Sequence, residues 1–335
     1  MQLRYQDHPV TTFTISPRTR EVQAYWRNIE QCIAWSAAHG ATGILLFEGN
    51  DTYISPWVAA QVAFERTTAL VPLIAVNPIY AHPFQVAKLV SSYAQVYRRR
   101  TYLNMITGTA LSYLQAFNDE LDHEQRYARV GEYVQVIRAL LASDAPVSFS
   151  GHYYQLREMQ LEPGLPSELQ PEFFFAGASE AAARSAALVD GTLMTMLGPE
   201  LAASLAPAQR GIHLGLVARR RGSDAWASAE RLFPEDRRGA RVQELTMKNT
   251  DSVWKQRMFK AAQLGESAQP GYWLRPFRDF KADCPYFVGS HEEVGALLAA
   301  LVRGGIRHII LDIPCAEEEF ANVERAFRCA QEMLD

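Results

Sequence analysis

Three short apolar runs decide what this chain can fold into. Gly43-Ile44-Leu45-Leu46-Phe47, Leu70 to Val76 and Tyr102-Leu103-Asn104-Met105-Ile106 are too brief for helices and do not alternate. Runs of that kind read as strands covered on both faces. Amphipathic stretches separate them. Residues 20–39 place Val22, Trp26, Ile29, Ile33 and Ala37 on one helical face and stop at Gly40. Pro56 and Pro83 stand near the starts of the next two helices, where a missing N–H costs nothing. Each run ends in a polar break: Glu48-Gly49-Asn50-Asp51, Asn77-Pro78 and Thr107-Gly108. With an earlier strand, Val10 to Ile15, closed by Ser16-Pro17, the chain reads βαβαβαβ by Met105. Short connections and buried strands in that order require a parallel α/β architecture. A single (β/α)8 TIM barrel with insertions fits comfortably within 335 residues.

The second half keeps the rhythm with more decoration. A helix over 124–142 leads to a hairpin at 147–156, then Phe173-Phe174-Phe175 as strand five, a helix from Ser179, and Thr192 to Met196 as strand six. Pro199 starts another helix, and His213 to Ala218 is strand seven. Residues 222–285 form an insertion with helices at about 223–233 and 240–263, then an irregular stretch mixing Trp273, Phe277 and Phe280 with Arg275, Arg278, Asp279 and Lys281. A loop of this length inside a compact domain is functional or disordered. The expectation is a lid over 271–285, with Tyr53 and the cations Arg275, Arg278 and Lys281 as substrate contacts. Packing within the insertion is the plainer use of its aromatic residues. Residues 291–303 are helical, Arg307 to Leu311 is strand eight, and 316–334 is the closing helix.

Charge excludes some partners. The chain carries 33 basic against 37 acidic residues, a net charge of −4, and no basic patch interleaved with aromatic residues stands out, so nucleic acid is not expected. Cys32, Cys284, Cys315 and Cys329 lie far apart, which suits neither a zinc site nor a disulfide scaffold, and a cytoplasmic location is expected. No stretch is long and apolar enough to span a bilayer, and MQLRYQDHPV at the N-terminus has no apolar leader core.

The start of the long helix is the first candidate for chemistry. Asp122 suits an N-cap, Glu124 and Gln125 favour the positive end of the helix dipole, and His123 and Tyr127, four apart, share a face. Spacing alone leaves two readings open, a site or two ordinary residues at the edge of the core.

Asn104-Met105-Ile106-Thr107-Gly108 followed by Leu121-Asp122-His123-Glu124-Gln125-Arg126-Tyr127 resembles the signature of the bacterial luciferase-like flavin monooxygenases, and within them the FMN-dependent alkanesulfonate monooxygenase group. Ser148-Phe149-Ser150-Gly151-His152-Tyr153-Tyr154, Phe175-Ala176-Gly177-Ala178-Ser179 and Thr250-Asp251-Ser252-Val253 resemble further blocks in the family's order. The resemblance implies a luciferase-like barrel, FMN as FMNH2 supplied by a separate flavin reductase, O2 and a small organic molecule as substrates, and a homodimer or homotetramer. It also implies chemistry in which a flavin C4a-peroxide delivers oxygen. In that family the histidine and tyrosine matching His123 and Tyr127 contact the flavin phosphate and ribityl chain. Asn77 falls where the ring lies, and Thr107 falls near its edge. Glu48 ends strand two, where relatives place a polar flavin contact; a helix cap is the other reading. Gly177, Ala178 and Ser179 make a small-residue turn into a helix whose amides suit a phosphate, or a plain N-cap.

The substrate half of the pattern is different. The family's arginine and histidine on strand seven fall at His213 and Gly215, its cysteine near Thr52 and Tyr53, and its tyrosine after strand eight at Ile313. A simple alkanesulfonate is therefore not the expected substrate, and a biosynthetic intermediate is. His213 is the candidate acid–base group, since an imidazole exchanges protons near neutral pH; a barrel-interior histidine is the alternative. A deazaflavin-dependent oxidoreductase on the same fold and a non-catalytic flavin-binding protein are the competing readings.

Overall fold

The computed structural model describes residues 1–17, 19, 21–50, 52–108, 110–199, 211–264 and 269–335. The helix expected from Pro199 lies almost wholly outside the described residues. Eight parallel strands form the barrel: His8–Ile15, Gly43–Leu46, Val71–Val76, Tyr102–Met105, Glu172–Ala176, Thr192–Met196, Gly211–Arg219 and His308–Asp312, numbered one to eight hereafter. They are hydrogen-bonded in that order, and strand eight pairs with both seven and one, which closes the (β/α)8 barrel. No helix among the described residues is long and apolar enough to cross a membrane.

The chain forms two compact units. The first holds Met1–Leu45, Thr67–Leu70 and Met194–Asp335; the second holds Leu46–Arg66 and Val71–Leu193.

In the first unit, strand one is preceded by Leu3–Tyr5, paired antiparallel with it. Gln6 and Asp7 make the connection with φ of 49° and 62°, the backbone that a two-residue hairpin requires. Strand seven is buried along all nine residues. Its first half pairs with strand eight and its second half with a further parallel strand, Tyr286–Ser290. Ser290 then starts the helix His291–Arg303 with a capping box to Glu293.

The insertion differs from its expected form in two places. The helix expected over 240–263 is two, Arg237–Lys248 and Val253–Leu264. Asn249-Thr250-Asp251-Ser252 breaks it, with the Thr250 hydroxyl accepting from the Ser252 amide at 3.2 Å, because short polar side chains offer the backbone partners other than the helix. The stretch read as irregular contains the strand Tyr272–Trp273, antiparallel to Tyr286–Ser290, and the short helix Arg275–Arg278. Tyr272, Phe277 and Cys284 are buried.

In the second unit, strands three, four and five pair with Leu73 opposite Tyr102 and Tyr102 opposite Glu172. The helices Pro83–Tyr97 and His123–Ala142 pack together, and Tyr133 donates to the Ala81 carbonyl at 2.9 Å. The hairpin Val147–Ser150 and Gln155–Met159 is tied to the second helix by Glu132. That carboxylate accepts from the amides of His152, Tyr153 and Tyr154 at 2.7, 2.7 and 3.2 Å. Between strand four and the helix His123–Ala142 lies the short helix Leu111–Ala116.

Candidate active site

Two helix N-termini meet in the second unit. Asp122 caps His123–Ala142 through a capping box with Gln125, which puts His123 at the first helical position. Ser179 caps Glu180–Leu188 and accepts from the Ala182 amide at 3.2 Å. The His123 Nε2 and the Ser179 Oγ are 3.0 Å apart. Residues 56 positions apart in sequence are thus joined where both helices present their first amides, which have no carbonyl within their own helix to bond. The positive ends of two dipoles, a hydroxyl and an imidazole are thus gathered at one place, a combination of the kind that favours anions.

Tyr127 supports the turn. Its hydroxyl donates to the Ala176 carbonyl at 2.7 Å, and its ring lies 5.1 Å from that of His123 in an edge arrangement. Gly177 is the residue that permits this. A Cβ there would collide with the Tyr127 hydroxyl and lie 2.7 Å from the Ala182 Cβ. The small-residue turn is thus a steric requirement of the tyrosine as well as a source of amides.

Asn77 and Thr107 are buried at the ends of strands three and four, and the Asn77 Oδ1 accepts from the Ile79 amide at 3.2 Å. Gly108, with φ of 73°, turns the chain against them: a Cβ there would sit 3.0 Å from the Asn77 Nδ2. At the end of strand two, Glu48 is half-buried, and burial lifts its carboxyl above the ordinary range, opposed by a hydrogen bond from the Gly49 backbone. Tyr53 is exposed. Asn104 is an addition to the expected set. It is 7% exposed on strand four, and its Oδ1 has no hydrogen-bond partner among the described residues. Buried acceptors of that kind are rare and call for a partner. The signal in the sequence is a single amide inside an otherwise apolar run.

The first unit holds the remaining candidates, and its polar groups are arranged differently. His213 is buried on strand seven, and its carbonyl accepts from the Leu197 amide at 3.3 Å. At Gly215 a side chain would run into the ring of Tyr286, the residue opposite it in the parallel ladder. The phenol of Tyr286 is buried beside Asp312, and burial first, then that carboxylate, push its pKa well up. Cys284 Sγ lies 3.8 Å from the Asp312 carboxylate. The space at Gly215 is therefore filled from the neighbouring strand, which periodicity could not announce.

The expected lid cations all have acidic partners. Arg275 pairs with Glu230 at 3.6 Å and lies over Trp273. Arg278 pairs with the buried Asp279 at 2.8 Å, and Lys281 pairs with Asp236 at 2.9 Å. Trp273 packs on Trp226 and Phe233. Within 271–285, Tyr272–Trp273 is sheet-paired, and the three cations are matched to acids, two of them, Glu230 and Asp236, outside the segment.

A parallel barrel with helix N-termini and buried polar residues gathered at its strand ends is the architecture on which enzymes are built at the C-terminal ends of barrel strands. Comparison with known proteins narrows it. A family model described as luciferase-like monooxygenase matches residues 8–308, and the chain belongs to that family. The 4-(gamma-L-glutamylamino)butanoyl-[BtrI acyl-carrier protein] monooxygenase BtrO of Niallia circulans is 31% identical over 310 residues, covering 90% of both chains. Among solved structures, EDTA monooxygenase (EmoA) from Chelativorans sp. BNC1 superposes with a TM-score of 0.70 at 13% identity, covering 97% of this chain and 93% of that one. An F420-dependent secondary alcohol dehydrogenase in complex with an F420-acetone adduct has a TM-score of 0.67 at 17% identity, covering 96% and 99%. At those identities the two structures speak for the fold.

Proposed function

We propose that this protein is a reduced-flavin-dependent monooxygenase that binds FMNH2 from a separate reductase and oxygenates an acyl group carried as a thioester on an acyl-carrier protein. The observation that carries the cofactor reading is the junction of His123 with Ser179 at two helix N-termini, whose donors match a phosphate. Asn104 adds a buried acceptor for an N–H, and Asn77 and Thr107 lie at the adjoining strand ends. Reduced flavin supplies the reaction with O2, which no side chain does.

The residues have separate duties under this reading. Ser179 and the amides after it hold the phosphate. His123 shares a hydrogen bond with Ser179 and fixes its hydroxyl. Tyr127 holds the Ala176 carbonyl, and with it the turn from which those amides project. His213 is proposed to contact substrate or move a proton, and Tyr53 to line the approach. The segment 271–285 is proposed to cover the reaction from water, with Arg275, Arg278 and Lys281 offered to an anionic substrate only when they exchange their present partners. A homodimer or homotetramer is proposed on family likeness. The relative at 31% identity is a monooxygenase named for a carrier-bound acyl substrate, which favours the oxygenase over the deazaflavin alternative.

Two measurements test this. Ser179→Asp puts a negative charge against the phosphate and is expected to weaken FMN binding about tenfold or more while weakening riboflavin binding much less. Equal losses would remove the phosphate role. Photoreduced FMN, air and 4-(γ-L-glutamylamino)butanoyl thioester are expected to give a product heavier by one oxygen atom. FMN oxidation with only unchanged thioester recovered would overturn the substrate assignment.

A further inference from the structure

Two insertion helices carry a charge that the rest of the chain does not. From Arg237 to Leu264 there are seven cations, Arg237, Arg238, Arg241, Lys248, Lys255, Arg257 and Lys260, against Glu244 and Asp251, in a protein of net charge −4. Only Lys255 among the seven is in an ion pair within the described residues, with Asp283 at 3.5 Å.

The arrangement is one-sided. On Arg237–Lys248, the inward face is marked by the buried Gln243. Arg237, Arg238, Arg241, Leu245 and Lys248 all fall within about 100° of arc on the opposite side, and all are exposed. Leu245 is 64% exposed in the middle of them. The next helix repeats the pattern: Met258 is buried, and Arg257, Lys260 and Leu264 share the exposed side, with Leu264 60% exposed. The two helices pack against each other.

Helix stability does not account for this. Asp236 caps the positive end of Arg237–Lys248, yet the first turn that follows has two arginines and no acidic residue, which that end does not favour. Like charges at i, i+4 such as Arg237 and Arg241 repel each other. Nor does solubility call for exposed leucines among the charges. Cations around apolar anchors are instead the pattern of a surface that binds an acidic partner, with charge guiding the encounter and apolar contacts holding it.

We infer that the exposed face of Arg237–Lys248 and Val253–Leu264, centred on Arg241 and Leu245, docks the acidic face of the acyl-carrier protein that presents the substrate. This rests on the carrier-bound substrate proposed above. The face chosen is the one whose charge complements an acidic protein, and it belongs to the family's insertion.

The test uses the full-length enzyme and two forms of one acyl group: 4-(γ-L-glutamylamino)butanoyl on holo acyl-carrier protein, and the same group on pantetheine. The triple variant Arg238→Glu, Arg241→Glu, Lys248→Glu is expected to raise Kd and KM for the carrier-bound form about a hundredfold, and the milder Arg241→Gln a few fold. Both variants are expected to keep wild-type kcat/KM on the pantetheine thioester, which also shows that they are folded. Arg157→Glu, on the hairpin strand Gln155–Met159 of the second unit, is expected to change neither. Binding to wild type is expected to weaken as salt rises. Unchanged Kd for the carrier protein in the triple variant overturns the inference while leaving the carrier-bound substrate standing. Charge-dependent binding of the carrier protein without oxygenation of either thioester upholds the docking face and overturns the substrate. Tighter binding of a 20-base-pair duplex DNA than of the carrier protein at this face overturns the assignment of partner.

Discussion

The turn at Ala176–Ser179 and the stretch at 271–285 both put polar residues beside aromatic ones, yet they use them in opposite ways. At the turn, His123 and Ser179 meet across 56 positions of sequence, and the amides beside them have no helical carbonyl to bond. In 271–285, Arg275, Arg278 and Lys281 are each matched to an acid, Glu230, Asp279 and Asp236. The first arrangement leaves donors for a ligand. The second spends its charges on local structure. Residue type does not separate them; what separates them is whether the fold has already provided a partner.

The largest expected effect lies at the root of the insertion. Arg219, at the end of strand seven, makes a buried two-pronged pair with Glu319, with one contact at 2.9 Å. Glu319→Ala leaves the buried guanidinium only the Ala218 carbonyl and Glu318 at 4.0 Å, and should cost about 3 kcal/mol in urea unfolding. If the loss is under about 1 kcal/mol, the pair is solvated and the first unit is held by its apolar core alone.

Gly177→Ala sharpens the other side of the comparison. The added methyl meets the Tyr127 hydroxyl and Ala182, so about 1–3 kcal/mol of stability should go, and FMN affinity with it. Adding Tyr127→Phe should restore part of the stability by making room, at the expense of the bond to Ala176. No recovery in the double variant would mean that the clash lies with Ala182.

A smaller effect is expected from limited proteolysis with trypsin. Cleavage after Arg278 and Lys281 should be slower than after the exposed Arg157, while Arg275, followed by Pro276, is no trypsin site. If the segment is a lid, substrate with FMN should change that rate; equal protection in both states would make it a fixed wall.

The smallest effect concerns Glu48. Burial raises its folded-state pKa above the unfolded value, so the folded protein holds the proton longer. Stability relative to Glu48→Gln should therefore fall as pH rises from the ordinary carboxylate range through the raised value, and the two should coincide below it. A half-buried group should show only a shallow slope, read from unfolding midpoints across that window. A slope of opposite sign would mean that the Gly49 hydrogen bond outweighs burial.

Sequence by itself determined the barrel. Short apolar runs alternating with amphipathic helices admit few other solutions, and Thr192–Met196 is found with the bounds its pattern predicts. It also located both helix caps of the candidate site, because Asp122 and Ser179 each act on an amide only three residues away. The split at Asn249–Ser252 was legible in principle, since four such residues in a row compete with a helix. Only tertiary structure decided the rest. That Ser179 meets His123, that Gly215 is filled by Tyr286, and that three cations of 271–285 are already paired are contacts between elements far apart in the chain. Period and propensity report which way a side chain points on its own element. What it finds there depends on the neighbouring strand or helix, and that neighbour is chosen by the closure of the barrel.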